Sequence, residues 1–238
     1  DKYMGEAGLA AAKKLVERDK VFILSGLLAS AVVKAVQGYT EPMKFIILSN
    51  GYSPDIMKAG SSYTWRANIC PQELAPVAFK WFKGKYPDVT KMLHFTKNDA
   101  TGWGSADAET KIWTGMGLEV IGKEFYEVGT KDFMPYATKV AAKKPQLVAM
   151  AGTAPGDSAL FLKALREIGF KPHIIHTGGF GVLADTVKIA GKEALEGAIT
   201  INIDYSSPEA LPSIKEYYKK YTAKYGTWND IGIWDGEY

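Results

Sequence analysis

Short apolar runs alternate with helix-like stretches almost from end to end of this chain, and that order constrains its fold more tightly than any other feature. Strand-like runs read as VFILS (21–25), KFIILS (44–49), KMLHFT (91–96), LEVIGKEFY (118–126), QLVAMAG (146–152), HIIHT (173–177) and GAITINI (197–203). Helical spacing is clearest over 5–18, 30–38, 72–84, 104–116, 132–143, 157–168 and 209–225. Near-continuous apolar strands separated by helices imply mostly parallel sheets covered on both faces and joined by right-handed crossovers.

Two segments break the alternation. SSYTWRANICPQ (61–72) is extended and aromatic, and YSSPEALP (205–212) carries two prolines. Both read as crossings between sheets. The expected architecture is therefore α/β, with two doubly wound, mostly parallel sheets in two lobes joined by a hinge. Residues 1–67 and 203–238 form lobe one, and residues 68–202 form lobe two. Lobe two has five strands on this count and lobe one two or three. The sequence opens on a helix whose apolar side (Leu9, Ala12, Leu15, Val16) needs a sheet to cover, and it stops at GIWDGEY as another amphipathic segment begins. The reading is of a fragment, with lobe one incomplete.

Composition narrows the function. The charge of +3 comes from 29 basic and 26 acidic residues scattered along the chain, too diffuse for a nucleic-acid footprint. KEYYKKYTAK (215–224) has its charges at helical spacing and reads as a solvated helix face. The single cysteine, Cys70, excludes an intrachain disulfide and a CxxC pair. No apolar run approaches the ~20 residues that span a bilayer, so direct membrane insertion is not expected. No signal-peptide pattern opens the sequence, and any export signal is expected to have been removed.

In open parallel sheets, ligands bind beyond the carboxyl ends of the strands. The loops there read GLLAS (26–30), NGYSP (50–54), NDATGWGS (98–105), GTAPGD (152–157) and GGFG (178–181). Small residues let a ligand approach backbone amides at helix N-termini, which favour anions, and Tyr52, Trp103 and Phe180 offer apolar walls. Gly, Ser, Thr, Asn and Pro also end strands and cap helices, so one such loop alone carries little weight. Five at the same end of two sheets point to a site.

Enzyme signatures are poor. GxSxG, HExxH and GxxxxGK[ST] are absent. His173 and His176, three apart in a strand, point to opposite faces, which makes a metal pair there unexpected; with His94 they read as structural. Asp99 and Asp204 are loop acids suited to capping or to a ligand cation. Gly102 and Gly104 begin a dinucleotide-like G-x-G, with Glu124 at the distance of a ribose-binding acid. The third small residue is replaced by Asp107, five residues separate Thr96 from Gly102, and Glu124 falls in mid-strand. No catalytic residue, metal or cofactor is expected.

The order of segments resembles the branched-chain amino-acid type (type I, Venus-flytrap) of periplasmic binding protein along nearly the whole chain. AAKKLVERDKVFILSGLLASAV is similar to that family's helix, strand and first ligand loop, and KFIILSNGYSPDI to its next strand and loop. YTWRANICPQ resembles the crossing, KMLHFTKNDATGWGSADAE the strand and G-x-G helix start of lobe two, and DFMPYATKVAAKKPQLVAMAG a later helix and strand of that lobe. The resemblance implies a solute-binding component of an ABC importer, a monomer that closes two lobes on a small-molecule ligand and docks on a membrane permease, in the periplasm or as a cell-surface lipoprotein. It places the ligand at Leu28, Ala29 and Ser30, at Gly51, Tyr52 and Ser53, and at Thr101, Trp103, Thr153 and Ala154. At the last loop, where amino-acid binders carry an acid for the ligand's ammonium, this chain has Gly178, Gly179 and Phe180. An unpaired buried ammonium is costly, which favours a carboxylate such as an aromatic or keto acid over a plain amino acid. The alternatives are a cytoplasmic amide or urea sensor of the same fold and a nicotinamide-dependent enzyme.

Overall fold

The computed structural model describes residues 4–58, 61–177, 183–201 and 208–226. Two parallel sheets organise them, one of three strands and one of five.

In the first, β1 (Leu24–Leu27), β2 (Ile47–Ser49) and β3 (Thr64–Arg66) lie side by side in chain order. Leu24 is in register with Ile47, and Ile47 with Thr64. Helix α1 (Gly5–Lys13), extended by a wider turn over Lys14–Arg18, packs with α2 (Ser30–Thr40) on one face of this sheet. Ala12, Val16, Val32, Val33 and Val36 close over Leu24 and Ile47 there. The other face is uncovered among the described residues. Leu48 and Trp65, neighbours in register, are 37% and 60% exposed.

The second sheet contains β4 (Lys91–Lys97), β5 (Glu119–Tyr126), β6 (Leu147–Ala149), β7 (His173–His176) and β8 (Ala198–Thr200) in the order β5-β4-β6-β7-β8. Both faces of this sheet are covered. α3 (Pro71–Lys85) and α4 (Ala100–Gly115) bring Phe79, Phe82 and Trp113 against Met92, Leu147 and Ile175. α5 (Met134–Ala142) and α6 (Pro155–Glu167) bring Ala137, Val140, Phe161 and Leu165 against Leu93, Phe95, Tyr126 and Val148. Phe95 stacks on both Phe161 and Tyr126. Burying side chains of this size stabilises the fold by about 1.5–3 kcal/mol each. α7 (Leu183–Ala190) and α8 (Lys192–Leu195) pack against α6. α9 (Pro212–Tyr225) buries no side chain and pairs Glu216 with Lys220 one turn apart, as a solvated face does.

The architecture is the expected one of two parallel α/β lobes, lobe one holding the three-stranded sheet and lobe two the five-stranded sheet. Several local readings change. The first strand starts at Leu24, not residue 21, and Phe22 is 88% exposed. Part of the segment read as a crossing, Thr64–Arg66, is the third strand of lobe one. The connection itself is short and ends at Cys70, where the Glu73 carboxylate accepts from the Cys70 amide (2.8 Å) and fixes the start of α3. α7 and α8 have no counterpart in the helical spacing read from the sequence. Asp204 and residues 205–207 of the proline-containing crossing lie outside the described residues.

Candidate ligand-binding cleft

Lobe two changes winding direction between β4 and β6. The chain adds β5 on one side of β4 and returns to place β6 on the other, which opens a crevice between the loops that follow them. After β4, only Asn98 and Asp99 precede α4. The Asp99 carboxylate accepts from the Gly102 amide (2.9 Å) and meets the Lys97 ammonium (3.1 Å), so this loop acid is an N-cap. After β6, Gly152 turns with φ +81°, a left-handed conformation that suits glycine.

The G-x-G pair is used for close approach. A Cβ on Gly102 would stand 1.9 Å from the Lys97 carbonyl, and one on Gly104 would stand 2.4 Å from Ser53 Oγ, in lobe one. Gly102 thus seats α4 on its own strand, and Gly104 lets α4 touch the opposite lobe. The turn and the helix both differ from what the spacing predicts. The strand-to-helix turn is tight, because β4 continues to Lys97 and α4 begins at Ala100. Asp107 does not obstruct helix packing, because it faces outward and pairs with Lys123 (2.7 Å). The dinucleotide reading loses its acid on other grounds. Glu124 is held by Lys139 (2.6 Å) and Lys143 (2.5 Å). Burial alone would raise its pKa, but the two ammonium groups bring it below the ordinary carboxylate value.

In lobe one the first two loops are tied together. Ser30, the first residue of α2, is buried and accepts from the Ser53 amide (2.9 Å), while Ser49 Oγ accepts from the Gly51 amide (2.9 Å). Asn68 donates to the Asn50 carbonyl (3.3 Å). Between these anchors the Tyr52 side chain leaves its lobe, and its hydroxyl lies 3.5 Å from Thr177 Oγ1 at the end of β7. Burial, followed by the nearby Glu109 carboxylate, pushes the Tyr52 phenol well above its usual pKa.

Beneath this contact lies a set of buried polar groups. Thr177 donates to Glu109 Oε1, and Glu109 Oε2 lies 2.9 Å from His94 Nε2. On the other face of the sheet, Thr153 Oγ1 meets the Met150 carbonyl (2.6 Å), Ser158 Oγ (2.7 Å) and His176 Nε2 (2.7 Å). Burial above all pushes the His176 imidazole down to about 3, so it is neutral at physiological pH.

The residues expected to bind ligand are thus partly assembled. Ser30, Gly51 and Ser53 form one cluster, Tyr52 reaches the edge of lobe two, and Gly104 brings the start of α4 against Ser53. Ala29 is buried and Leu28 half-buried beside them. Thr101, in the first turn of α4, and Thr153, in the loop after β6, are each 8% exposed, and Ala154 is the N-cap residue of α6. Trp103 is 50% exposed and donates to Asn98 Oδ1 (2.8 Å). Gly178 and Phe180 lie outside the described residues. Sequence reasoning passed over Thr177 and Glu109 and read His94 as structural. Thr177 adjoins a loop singled out for ligand binding, a signal that was available. Glu109 sits in mid-helix with nothing to distinguish it. Among the described residues no group of three or more His, Cys, Asp or Glu side chains is arranged to hold a metal ion, and no helix is long and apolar enough to cross a membrane.

Two α/β lobes meeting at a polar crevice define the class of two-lobed small-molecule-binding proteins. The sequence matches the periplasmic binding protein family over residues 1–233, and the chain belongs to that family. It is 25% identical over 229 residues to the Leu/Ile/Val-binding protein homolog 8 of Brucella abortus (strain 2308), a match covering 91% of this chain and 56% of that one. The leucine binding protein of Thermotoga maritima has the same fold, with a TM-score of 0.83 at 20% identity over 99% of this chain and 65% of that one. So has a solute binding protein of an ABC transporter from R. palustris, solved in complex with benzoate, with a TM-score of 0.81 at 18% identity over 99% of this chain and 64% of the other. The chain therefore spans a little over half the length of the curated relative and about two thirds of these solved structures.

Proposed function

We propose that this chain is part of the solute-binding component of an ABC importer, working outside the cytoplasmic membrane and delivering its ligand to a permease. The observation that carries the reading is the meeting of ligand loops across the lobes, with Tyr52 at Thr177 and Ser53 at Gly104. A ligand held there touches both lobes, and its differential affinity for the closed arrangement shifts the population toward it without any chemical step.

The ligand class we propose is a small organic carboxylate, an aromatic or keto acid in preference to a plain amino acid. Two features support an anion at the start of α2. The amides of its first turn precede the first helical bond, which runs from Val33 to the Ala29 carbonyl. Ser30 already accepts from the Ser53 amide and so has its own proton to donate.

Thermal-shift measurements on the full-length protein with benzoate, phenylpyruvate, leucine, isoleucine, acetamide and urea test this. The acids are expected to raise the melting temperature by mass action. A shift with leucine and isoleucine alone overturns the preference for an aromatic or keto acid over a plain amino acid, and no shift with any of the six overturns ligand capture of this kind.

A further inference from the structure

Glu109 has no part in the capture scheme above, yet it is buried to 0% exposure directly behind the cleft. The other buried carboxylate among the described residues, Glu124, meets two lysines. Glu109 instead meets one imidazole and one hydroxyl.

That difference fixes where protons sit. A carboxylate only accepts, so His94 directs an N–H from Nε2 to Oε2, and Thr177 gives its single hydroxyl proton to Oε1. Thr177 Oγ1 is then left with lone pairs alone. The only proton available to the contact between Thr177 and Tyr52 is the phenol's, so Tyr52 donates across the lobes to Thr177, over a long 3.5 Å. A phenol whose proton is committed offers other neighbours only lone pairs. An ionised carboxylate has no proton to give them, so the acid end of a ligand is repelled from Tyr52 and belongs elsewhere in the cleft.

We propose that Glu109 and Thr177 are specificity-determining positioning residues: they orient the Tyr52 hydroxyl so that it accepts toward the cleft, and the ligand must present a hydrogen-bond donor there. Building on the carboxylate reading of the cleft, this assigns the ligand to the hydroxy-substituted acids over their unsubstituted counterparts. An acid without the hydroxyl leaves the phenol oxygen desolvated and unpaired, which is the kind of mismatch a binding site discriminates against strongly.

The experiment has a ligand-free arm and a ligand arm, both on the full-length protein. In the first, the Cζ resonance of Tyr52 in 13C-tyrosine-labelled protein is assigned by its loss in Tyr52→Phe and followed in Thr177→Val and Thr177→Ser. Loss of the acceptor in Thr177→Val is expected to move it upfield, and Thr177→Ser to return it. An unmoved resonance in Thr177→Val overturns the relay. In the second, calorimetry compares 4-hydroxybenzoate with benzoate. The wild-type protein is expected to prefer the hydroxy acid at least about tenfold, with the ratio collapsing to about twofold or less in Thr177→Val and recovering in Thr177→Ser. Equal wild-type affinity for the two overturns the assigned specificity. Binding of neither acid overturns the carboxylate reading and with it the ligand half of the inference, while the Tyr52 resonance still decides the proton relay.

Discussion

Lobe two sandwiches its sheet between helices on both sides, whereas the described part of lobe one covers its sheet on one side only. The contrast shows in single residues. Phe95, in the middle of a lobe-two strand, is 0% exposed, and Trp65, in a lobe-one strand, is 60% exposed. The lobe-one strands are short and carry polar residues such as Ser25 and Arg66, and they are packed by one layer of helices where lobe two has two. Lobe two is built to stand as a rigid wall carrying buried polar groups at its strand ends. Lobe one contributes loops that reach toward that wall, with Ser30, Gly51 and Ser53 holding Tyr52 in place.

This contrast can be broken by mutation. The largest expected effect is Phe161→Ala, which empties the centre of one lobe-two core and should cost about 3–5 kcal/mol in urea unfolding. Acid comes next, because a buried neutral histidine is confined to lobe two. With His176 held near 3 in the fold and near 6.5 when unfolded, the unfolded chain binds the extra proton, so stability falls as pH drops below 6.5. The expected loss between pH 7 and pH 5 is about 2 kcal/mol, and it should be absent in His176→Gln when the two proteins are unfolded side by side.

Gly104→Ala tests the contact between the lobes. Its Cβ would crowd Ser53 Oγ, so affinity for benzoate in calorimetry is expected to fall about tenfold, near 1.4 kcal/mol. Stability in the same variant should hold or rise, because alanine suits a helix better than glycine. The smallest effect is expected at Trp65→Ser on the open face, within about 0.5 kcal/mol in urea. A loss of several kcal/mol there would mean that lobe one is covered after all and would remove the contrast.

Much of this was legible in the sequence. All five strands of lobe two fall within runs read from the sequence because most of their positions are apolar, and Lys123 and Glu124 in the edge strand β5 did not break the pattern. Trp65 misled the reading of 61–72, since an exposed aromatic among polar residues looks like a linker when it belongs to the bare face of a strand. The short turn before α4 was also hidden, because Gly102 and Gly104 lie inside the first two turns of a helix, where glycine ordinarily argues against one. Their reason for being there is a close approach to Lys97 and to Ser53, which one-dimensional spacing does not display.

What the sequence determined by itself was the alternation of elements, the parallel sheets that alternation requires, and the positions of the loops beyond the strand ends. Tertiary structure alone decided which of those loops face one another. Tyr52, His94, Glu109 and Thr177 come from a loop, a mid-strand, a mid-helix and a strand end. They meet because the winding of lobe two reverses at β4 and because two glycines let its helix approach both its own strand and the other lobe. Hydrogen bonds at contact distance depend on that three-dimensional closure, and no local propensity encodes it.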